Sequence, residues 1–219
     1  MTTLIIATRN THKVDEIRSM LDAERFRFLT LSDFPEAPPI VEDASTFEEN
    51  AAKKSEGLVK WLQQQRPLRN LPEGETAFVL ADDSGLEVDA LNGAPGVHSA
   101  RFAAMDTGAE GNSADADNNA KLLRLMSNVP PEKRTARFRC VLALSKLPSS
   151  AGNTDIETRL FAGSCEGRVA FAPSGGGGFG YDPLFIPDGF DKSFAELGES
   201  VKNQLSHRAK ALQKLRENW

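Results

Sequence analysis

The stretch AFVLADDSGLEV, residues 77–88, decides the fold of this chain because it joins a wholly apolar run to two adjacent carboxylates. Residues 77–81 are typical of a fully buried strand, and we predict that this strand ends at Asp82-Asp83-Ser84-Gly85, before Leu86 and Val88 resume a strand-like pattern. Carboxylates that follow such a strand must leave the core at the edge of a sheet, where α/β proteins form ligand crevices. The stretch therefore predicts an acidic site at a strand end.

The acidic pair has two interpretations. Adjacent carboxylates repel each other, and Mg²⁺ would relieve that repulsion, with one carboxylate holding the metal while it accepts a proton from water. Ser84 can donate to a phosphate oxygen, and Gly85 lets the backbone approach closely. An Asx-type turn that ends a strand has the same residue types. The pattern leaves the catalytic and the structural interpretation equally open.

Upstream of this stretch, the chain starts with a strand, a polar turn and a helix. The apolar run 4–7 is followed by Thr8-Arg9-Asn10-Thr11-His12-Lys13 and then by apolar residues at helical spacing. Such a turn aims backbone N–H groups and a helix N-terminus at an anion, and Thr8, Asn10 and Lys13 add a hydroxyl, an amide and a charge. A helix cap followed by a solvated lysine has the same pattern, so phosphate binding is one of two interpretations.

A second helix begins at Thr46, because Thr46-Phe47-Glu48-Glu49 fits a capping box. Glu49 and Lys53 are four residues apart, which is the spacing of an ordinary surface ion pair. Glu42, just before this helix, is either a metal ligand or a solvated loop acid.

The second half of the chain adds strands, a glycine-rich loop and a final helix. Residues 136–144 alternate as one face of a strand, and a further strand or hairpin spans about 156–171. Gly175–Gly178 is a flexible connector or an ordered loop that leads into Phe179, Tyr181 and Asp182, which offer an aromatic face and an acceptor to a planar heterocycle. The final helix places His207 and Arg208 in its first turn, where basic side chains oppose the helix dipole. Strands and helices mix throughout, which predicts an α/β protein with no linker that divides it.

Composition excludes several classes of protein. The 219 residues are 40% hydrophobic and carry a formal charge of −5, so the chain is neither disordered nor a nonspecific nucleic-acid binder. No apolar run approaches the roughly 20 residues of a membrane-spanning helix, and no basic-then-apolar leader opens the chain. Two distant cysteines and three scattered histidines predict buried thiols and no zinc site. We therefore expect a cytoplasmic protein without nucleic-acid or membrane partners.

Six sequence blocks, in order along the chain, resemble the inosine triphosphate pyrophosphatase family, whose members hydrolyse noncanonical purine nucleoside triphosphates. The blocks are ATRNTHK (7–13), TFEENA (46–51), ADDSGLEVDAL (81–91), GAPGVHSARF (93–102), GFGYDP (178–183) and SHR (206–208). The resemblance implies an elongated mixed β-sheet flanked by helices, two lobes of one domain (1–219) that enclose a substrate groove, and a homodimer. It further implies Mg²⁺-dependent cleavage of ITP, dITP and XTP to monophosphate and pyrophosphate.

The resemblance also implies a role for each matching residue. Glu42 and Asp83 would hold the metal, Asp83 would activate the attacking water, and Ser84 would bind the substrate. The phosphates would be held by Thr8, Arg9, Asn10, Thr11, His12, Lys13 and Lys53, and the base and sugar by Phe179, Gly180, Tyr181, Asp182, Lys202, His207 and Arg208. Two departures concern loops: Ala44 stands where many relatives have glycine, and residues 63–76 form a longer stretch than usual.

Two alternatives remain beside this hypothesis. A noncatalytic nucleotide-binding protein could use the same scaffold, although Asp83, Lys13 and Lys53 favour an enzyme. A pyrophosphatase for a modified pyrimidine triphosphate would keep the chemistry and change the base pocket.

Overall fold

The structure is a computed structural model that describes residues 2–65, 71, 75–148 and 156–219. Most of the long stretch 63–76 and of the predicted loop 148–155 therefore lies outside the described residues. No helix within the described ranges is both long enough and apolar enough to span a membrane.

Six strands form one mixed sheet in the order β2-β1-β3-β4-β5-β6. β1 pairs in parallel with β2 and β3, whereas β6 pairs antiparallel with β5. The strands are β1 (Thr2–Ile6), β2 (Phe26–Thr30), β3 (Ala77–Val88), β4 (Thr135–Leu147), β5 (Thr158–Val169) and β6 (Phe185–Pro187). This arrangement confirms the predicted α/β class and the mixed sheet.

The first two helices of the chain begin at the capping residues that the sequence offers there. The Asn10 side chain accepts from the Lys13 amide at 3.2 Å, and the Thr46 hydroxyl accepts from the Glu49 amide at 3.2 Å. The helices are α1 (Thr11–Met20), α2 (Phe47–Gln64), α3 (Asp115–Leu125), α4 (Phe194–Leu197), α5 (Glu199–Leu205) and α6 (His207–Glu217). Asn10 and Thr46 therefore define where α1 and α2 begin.

The prediction that a strand ends at Asp82 is wrong. β3 runs without interruption from Ala77 to Val88, and both Asp82 and Asp83 are buried within it. Lysine side chains accompany both carboxylates, so the acidic pair does not have to leave the core. Gly85 is needed for close packing, because a Cβ there would lie 2.4 Å from the Gly96 carbonyl oxygen.

The chain divides into two compact units, each with its own apolar core. The first unit comprises Met1–Asp83, Val141–Ala162 and Ala211–Trp219, and the second unit comprises Ser84–Cys140 and Gly163–Lys210. Strands β3, β4 and β5 contribute residues to both. The core of the first unit includes Ile5, Leu29, Val59, Leu62 and Val79. The core of the second includes Leu86, Leu122, Phe138, Phe185 and Phe194.

Candidate active site

A cluster of charged side chains in the first unit surrounds the ammonium group of Lys54. Lys54 Nζ donates to Glu42 Oε2 at 2.9 Å, to Asp83 Oδ1 at 3.0 Å and to the Asp82 carbonyl oxygen at 2.8 Å. Lys13 Nζ donates to Asp82 Oδ1 at 2.5 Å. Three acids and two lysines therefore converge on the middle of β3.

Three elements bring this cluster together. Lys13 lies in the first turn of α1, Lys54 lies on α2, and the aspartates lie in β3. The Glu42 loop is held by Asn50, whose amide oxygen accepts from the Ala44 amide at 3.0 Å and whose Nδ2 donates to the Ala44 carbonyl at 3.4 Å. The alanine at position 44 is thus compatible with an ordered loop.

Burial and charge act in opposite directions on the pKa values in this cluster. Burial raises the pKa of Asp83, and the Glu42 charge adds to this, so the value stays above the ordinary one despite Lys54 and Lys13. Burial also acts to raise the pKa of Glu42, but the charge and hydrogen bond of Lys54 outweigh it and lower that pKa. For Lys54, the nearby Asp83 and Glu42 charges outweigh burial and raise the pKa. Asp83 is therefore the carboxyl group that takes up a proton more readily.

One oxygen of Asp83 has no donor among the described residues. This atom, Asp83 Oδ2, is buried, and the Glu42 and Asp83 carboxyl groups lie within hydrogen-bond reach of each other. Two anions this close repel unless a proton or a cation lies between them. No three His, Cys, Asp or Glu side chains come together as a complete metal site in the described ranges. A divalent cation held here by two carboxylates would need further oxygen ligands from a substrate or from water, as Mg²⁺ commonly does.

Lys53, which the sequence pointed to, lies outside this cluster. Its side chain is 50% exposed and its ammonium pairs with Asp43 at 2.7 Å, whereas the Lys54 side chain is 11% exposed. A signal for Lys54 was present in the sequence: position 54 lies seven residues after Phe47 and four before Leu58, on the buried face of α2. The family resemblance assigned phosphate binding to Lys53, and the residue spacing made Lys53 a partner of Glu49; neither considered Lys54.

The polar turn before α1 is held by its own bonds. The Thr8 hydroxyl accepts from the Asn10 amide at 3.1 Å, and Arg9 Nη2 donates to the Ala37 carbonyl at 2.8 Å. Thr8, Arg9 and Thr11 line a cavity of about 450 Å³ in the first unit, together with Val14, Asp15, Arg18, Thr30, Leu31, Ser32 and Pro35. His12 lies on the exposed side of the helix start. Of the predicted phosphate-binding residues, Lys13 is thus the one that reaches the acidic cluster.

A second cluster, in the second unit, combines an aromatic ring with buried cations. Lys202 Nζ lies 2.6 Å from Asp182 Oδ2 and 4.3 Å from the centroid of the Phe179 ring. The Arg208 guanidinium carbon lies 5.9 Å from the same centroid, and Arg208 Nη2 donates to Ser84 Oγ at 3.0 Å. This arrangement suits a planar ligand whose edge carries hydrogen-bond acceptors.

Two predicted base-binding residues, Tyr181 and His207, have rings that pack against the core of the second unit. Tyr181 is 4% exposed, and its hydroxyl donates to the Ser99 carbonyl at 2.9 Å, so its ring is not an open stacking face. Burial raises the pKa of this tyrosine. The His207 ring stacks on Phe138 with centroids 4.7 Å apart. Tyr181 follows Phe179 by two residues and His207 directly precedes Arg208, so both rings anchor segments that carry the cluster.

Comparisons with known proteins agree with the motifs. The family model for the Ham1 family matches residues 4–218. The chain is 46% identical over 219 residues to the dITP/XTP pyrophosphatase of Geobacillus kaustophilus, covering 100% of this chain and 95% of that protein. The dITP/XTP pyrophosphatase of Geobacter sulfurreducens is 44% identical over 218 residues, with 100% and 96% covered.

Solved structures give the same result. The Staphylococcus aureus Ham1 protein is 36% identical with a TM-score of 0.77, and the match covers 99% of this chain and 97% of that one. The nucleoside-triphosphatase, or dITP/XTP pyrophosphatase, of Mycobacterium abscessus is 33% identical with a TM-score of 0.68, again covering 99% and 97%. The similarities span almost the whole chain and confirm the resemblance predicted from its sequence.

Proposed function

Because this chain belongs to the Ham1 family, we propose that it hydrolyses noncanonical purine nucleoside triphosphates, namely ITP, dITP and XTP, to the monophosphate and pyrophosphate. Its relatives named dITP/XTP pyrophosphatase match over nearly their full length. The observation that carries the proposal is the Asp83 carboxylate, which is buried, has a raised pKa and has one oxygen that no donor in the described part of the chain reaches. A hydrolase that acts on nucleoside triphosphates needs a base to accept a proton from water, next to cations that neutralise the phosphates.

The lysines of the first unit neutralise the substrate. A triphosphate brings about four negative charges to a chain with a formal charge of −5. Lys13 and Lys54 place two ammonium groups beside the aspartates of β3, and each can exchange a carboxylate partner for a phosphate oxygen. Thr8 to Thr11 add a hydroxyl, amides and a guanidinium at the start of α1. The substrate's charge is thereby met by groups that α1 and α2 hold in place.

The carboxylates fit a magnesium ion. Glu42 and Asp83 offer two close oxygen ligands, one of them the Oδ2 that no described residue donates to, and Mg²⁺ prefers one or two carboxylates together with substrate phosphates. When bound, Mg²⁺ supplies positive charge that offsets the triphosphate and makes water more acidic. Glu42, whose pKa is lowered, stays ionised as a ligand.

Asp83 acts as the general base. Its carboxylate accepts a proton from the attacking water while a new P–O bond forms and the bond between the α- and β-phosphates breaks, so that pyrophosphate leaves. Without the metal, burial holds the pKa of this carboxyl above its ordinary value, and a general base positioned in this way typically contributes about 10²- to 10⁴-fold to the rate. The burial of β3 keeps this carboxylate away from bulk water.

The cluster of the second unit reads the base. Hypoxanthine and xanthine carry a carbonyl acceptor at position 6, where adenine carries an amino donor. Lys202 and Arg208 have only donors to offer, so adenine would meet donor against donor. The Phe179 ring lies beside both cations and provides the stacking face. Guanine shares the carbonyl, so its exclusion rests on its 2-amino group meeting the loop that Phe179 to Asp182 form.

A substrate panel with pyrophosphate detection tests this proposal. The panel contains ITP, dITP, XTP, GTP, ATP and a modified pyrimidine triphosphate, each with Mg²⁺ and after exhaustive chelation. We expect turnover of ITP, dITP and XTP with Mg²⁺, and Mn²⁺ is a plausible substitute. Nucleotide binding without turnover would favour a noncatalytic nucleotide-binding protein. Preference for the pyrimidine triphosphate would favour a pyrimidine-specific pyrophosphatase. Full turnover after chelation would refute the proposed requirement for Mg²⁺.

Three further expectations go with this function. We propose that residues 1–219 act as one functional domain, that the protein forms a homodimer, and that it works in the cytoplasm. Sedimentation of the purified protein measures the oligomeric state, and a monomer at micromolar concentration would contradict the dimer.

A further inference from the structure

Two side chains of helix α3 hydrogen-bond the backbone amide and carbonyl of Gly180, in the loop that carries Phe179. Asp115 Oδ2 accepts from the Gly180 amide at 2.6 Å, and Asn119 Nδ2 donates to the Gly180 carbonyl at 3.0 Å. The two side chains are four residues apart on α3 and therefore lie on the same face. Neither residue belongs to the motifs that identify the family resemblance.

The backbone conformation of Gly180 determines how the residues on either side of it are oriented. It has a φ of +62°, in the left-handed region, and separates Phe179 from Tyr181. The turn closes on itself through the Phe179 amide, which donates to Asp182 Oδ2 at 2.9 Å, and through the Asp182 amide, which donates to the Phe179 carbonyl at 3.2 Å. Those bonds hold the turn's shape, whereas the bonds from α3 fix the peptide groups on both sides of Gly180.

Helix α3 is itself held in place by hydrogen bonds, so it can fix the position of the loop. Lys121 Nζ donates to the Phe102 carbonyl at 2.6 Å, and Asn118 Oδ1 accepts from the Ala103 amide at 2.8 Å. Both side chains are buried, and they leave α3 on the side of residues 100–103. One face of the helix is thus fixed to the body of the second unit while Asp115 and Asn119 hold the loop.

We propose that Asp115 and Asn119 are positioning residues that hold the Phe179 ring against Lys202 and Arg208 and thereby set the selectivity among purine bases. The inference rests on the proposed function, in which this ring and these cations meet the base. The two cations lie 4.3 and 5.9 Å from the ring centroid, and a donor discriminates between a carbonyl and an amino group only within hydrogen-bond reach. A shift of the loop by about 1 Å would weaken the discrimination between bases while leaving phosphate binding largely unchanged.

Matched variants on one helix test the proposal. Asp115→Ala and Asn119→Ala remove one bond each, and Asp115→Asn keeps an acceptor without the charge. Asp117→Ala is the control, because Asp117 is an exposed acid in the same first turn with no side-chain bond to the part of the chain that the structure describes. For each protein we measure kcat and KM with ITP, GTP and ATP, and inhibition by inorganic tripolyphosphate, which has no base.

We expect each alanine variant at 115 or 119 to lower the ITP/ATP ratio of kcat/KM roughly ten-fold, through KM more than kcat, as one charge-assisted or well-formed hydrogen bond is lost. Inhibition by tripolyphosphate should stay within about two-fold, since the phosphates bind elsewhere. Asp115→Asn should keep most of the selectivity, and Asp117→Ala should match the wild type. Hydrogen exchange of the amides in residues 178–183 should be faster in the two alanine variants only.

Each other outcome overturns a defined statement. If the wild type cleaves ITP but Asp115→Ala and Asn119→Ala keep the selectivity of Asp117→Ala, the positioning role is refuted and the proposed function stands. Equal losses with ITP and tripolyphosphate would also refute it, because they would indicate general damage to the fold. A wild type that releases no pyrophosphate from any triphosphate would refute the proposed function itself, and the selectivity role with it.

Discussion

Replacing Lys54 by methionine removes a cation from between two carboxylates while it keeps most of the side-chain volume. In the metal-free protein, Glu42 and Asp83 would then face each other with the ammonium group gone. Lys53→Met is a matched control one position away, because Lys53 is half exposed and pairs with an exposed aspartate. The pair of variants tests whether Lys54, which contacts Asp83, or Lys53, to which the family resemblance assigns phosphate binding, is the functional lysine.

The expected loss of stability follows from burial. Removing one partner of a buried ion pair costs about 3 to 5 kcal/mol because an uncompensated charge stays behind. Lys54 and Asp83 are largely buried but Glu42 is 38% exposed, and screening by water at that end lowers the cost to about 2 to 3 kcal/mol. A chain of this size loses about 2 to 4 °C of Tm per kcal/mol, so Lys54→Met should melt about 4 to 12 °C lower than wild type.

Calorimetry with and without Mg²⁺ and a pyrophosphate-release assay measure the effect. Mg²⁺ should raise the Tm of Lys54→Met more than that of the wild type, because the cation replaces the missing charge. The same variant should lose about 10- to 100-fold in kcat/KM for every triphosphate, since a charge-assisted bond to phosphate is lost. Lys53→Met should stay close to wild type in both assays.

The reasoning would be refuted by the reverse pattern. A Lys53→Met protein with the larger loss of activity would return the phosphate-binding role to the lysine that the sequence suggested. A Lys54→Met protein with an unchanged Tm that does not respond to Mg²⁺ would show that the Glu42–Asp83 pair tolerates its own repulsion.

Three other changes test the remaining roles. Asp83→Asn should lower turnover about 10²- to 10⁴-fold with the fold intact, and Asp82→Asn should lower it less because that acid pairs with Lys13; near-normal rates in folded Asp83→Asn would remove the base from the mechanism. Arg208→Ala should lower kcat/KM for ITP more than for ATP, whereas Lys13→Ala should lower kcat/KM for all triphosphates by the same factor. If Arg208→Ala lowers kcat/KM equally for ITP and ATP, this arginine does not contact the base. Burial raises the pKa of the Cys165 thiol to about 11, so iodoacetamide at pH 8 should label it far more slowly in the native than in the unfolded protein, with rapid native labelling as the contrary result.

Local chemistry explains why much of the fold is readable from the sequence. Asn10 and Thr46 cap their helices through bonds that span three residues, so the pattern contains both the donor and the acceptor. The alternation of residues 136–144 needs only the two-residue period of a strand, and β4 (Thr135–Leu147) contains it. Motif blocks likewise identified the family, because they are matched residue by residue without reference to contacts.

The sequence failed where a distant partner changes the cost of burial. Two adjacent aspartates predict the end of a strand when they are considered alone, but Lys13 and Lys54 reach them from α1 and α2 and let β3 continue to Val88. Tyr181 has the composition of a stacking face, yet the Ser99 carbonyl lies within reach of its hydroxyl and the ring is buried. In both cases the deciding atom is far away in the sequence.

By itself, then, the sequence determined the α/β class, the starts of α1, α2 and α6, the family and most of the residues that converge in each unit. Only the tertiary structure shows that Lys54 rather than Lys53 contacts Asp83, because a helix turns about 100° per residue and the contact depends on which face meets β3. Only the tertiary structure shows that Asp115 and Asn119 hold Gly180, since Asp115 and Gly180 are 65 positions apart and leave no periodic trace of the contact. Side-chain spacing determines what a segment forms, and long-range packing determines what its side chains touch.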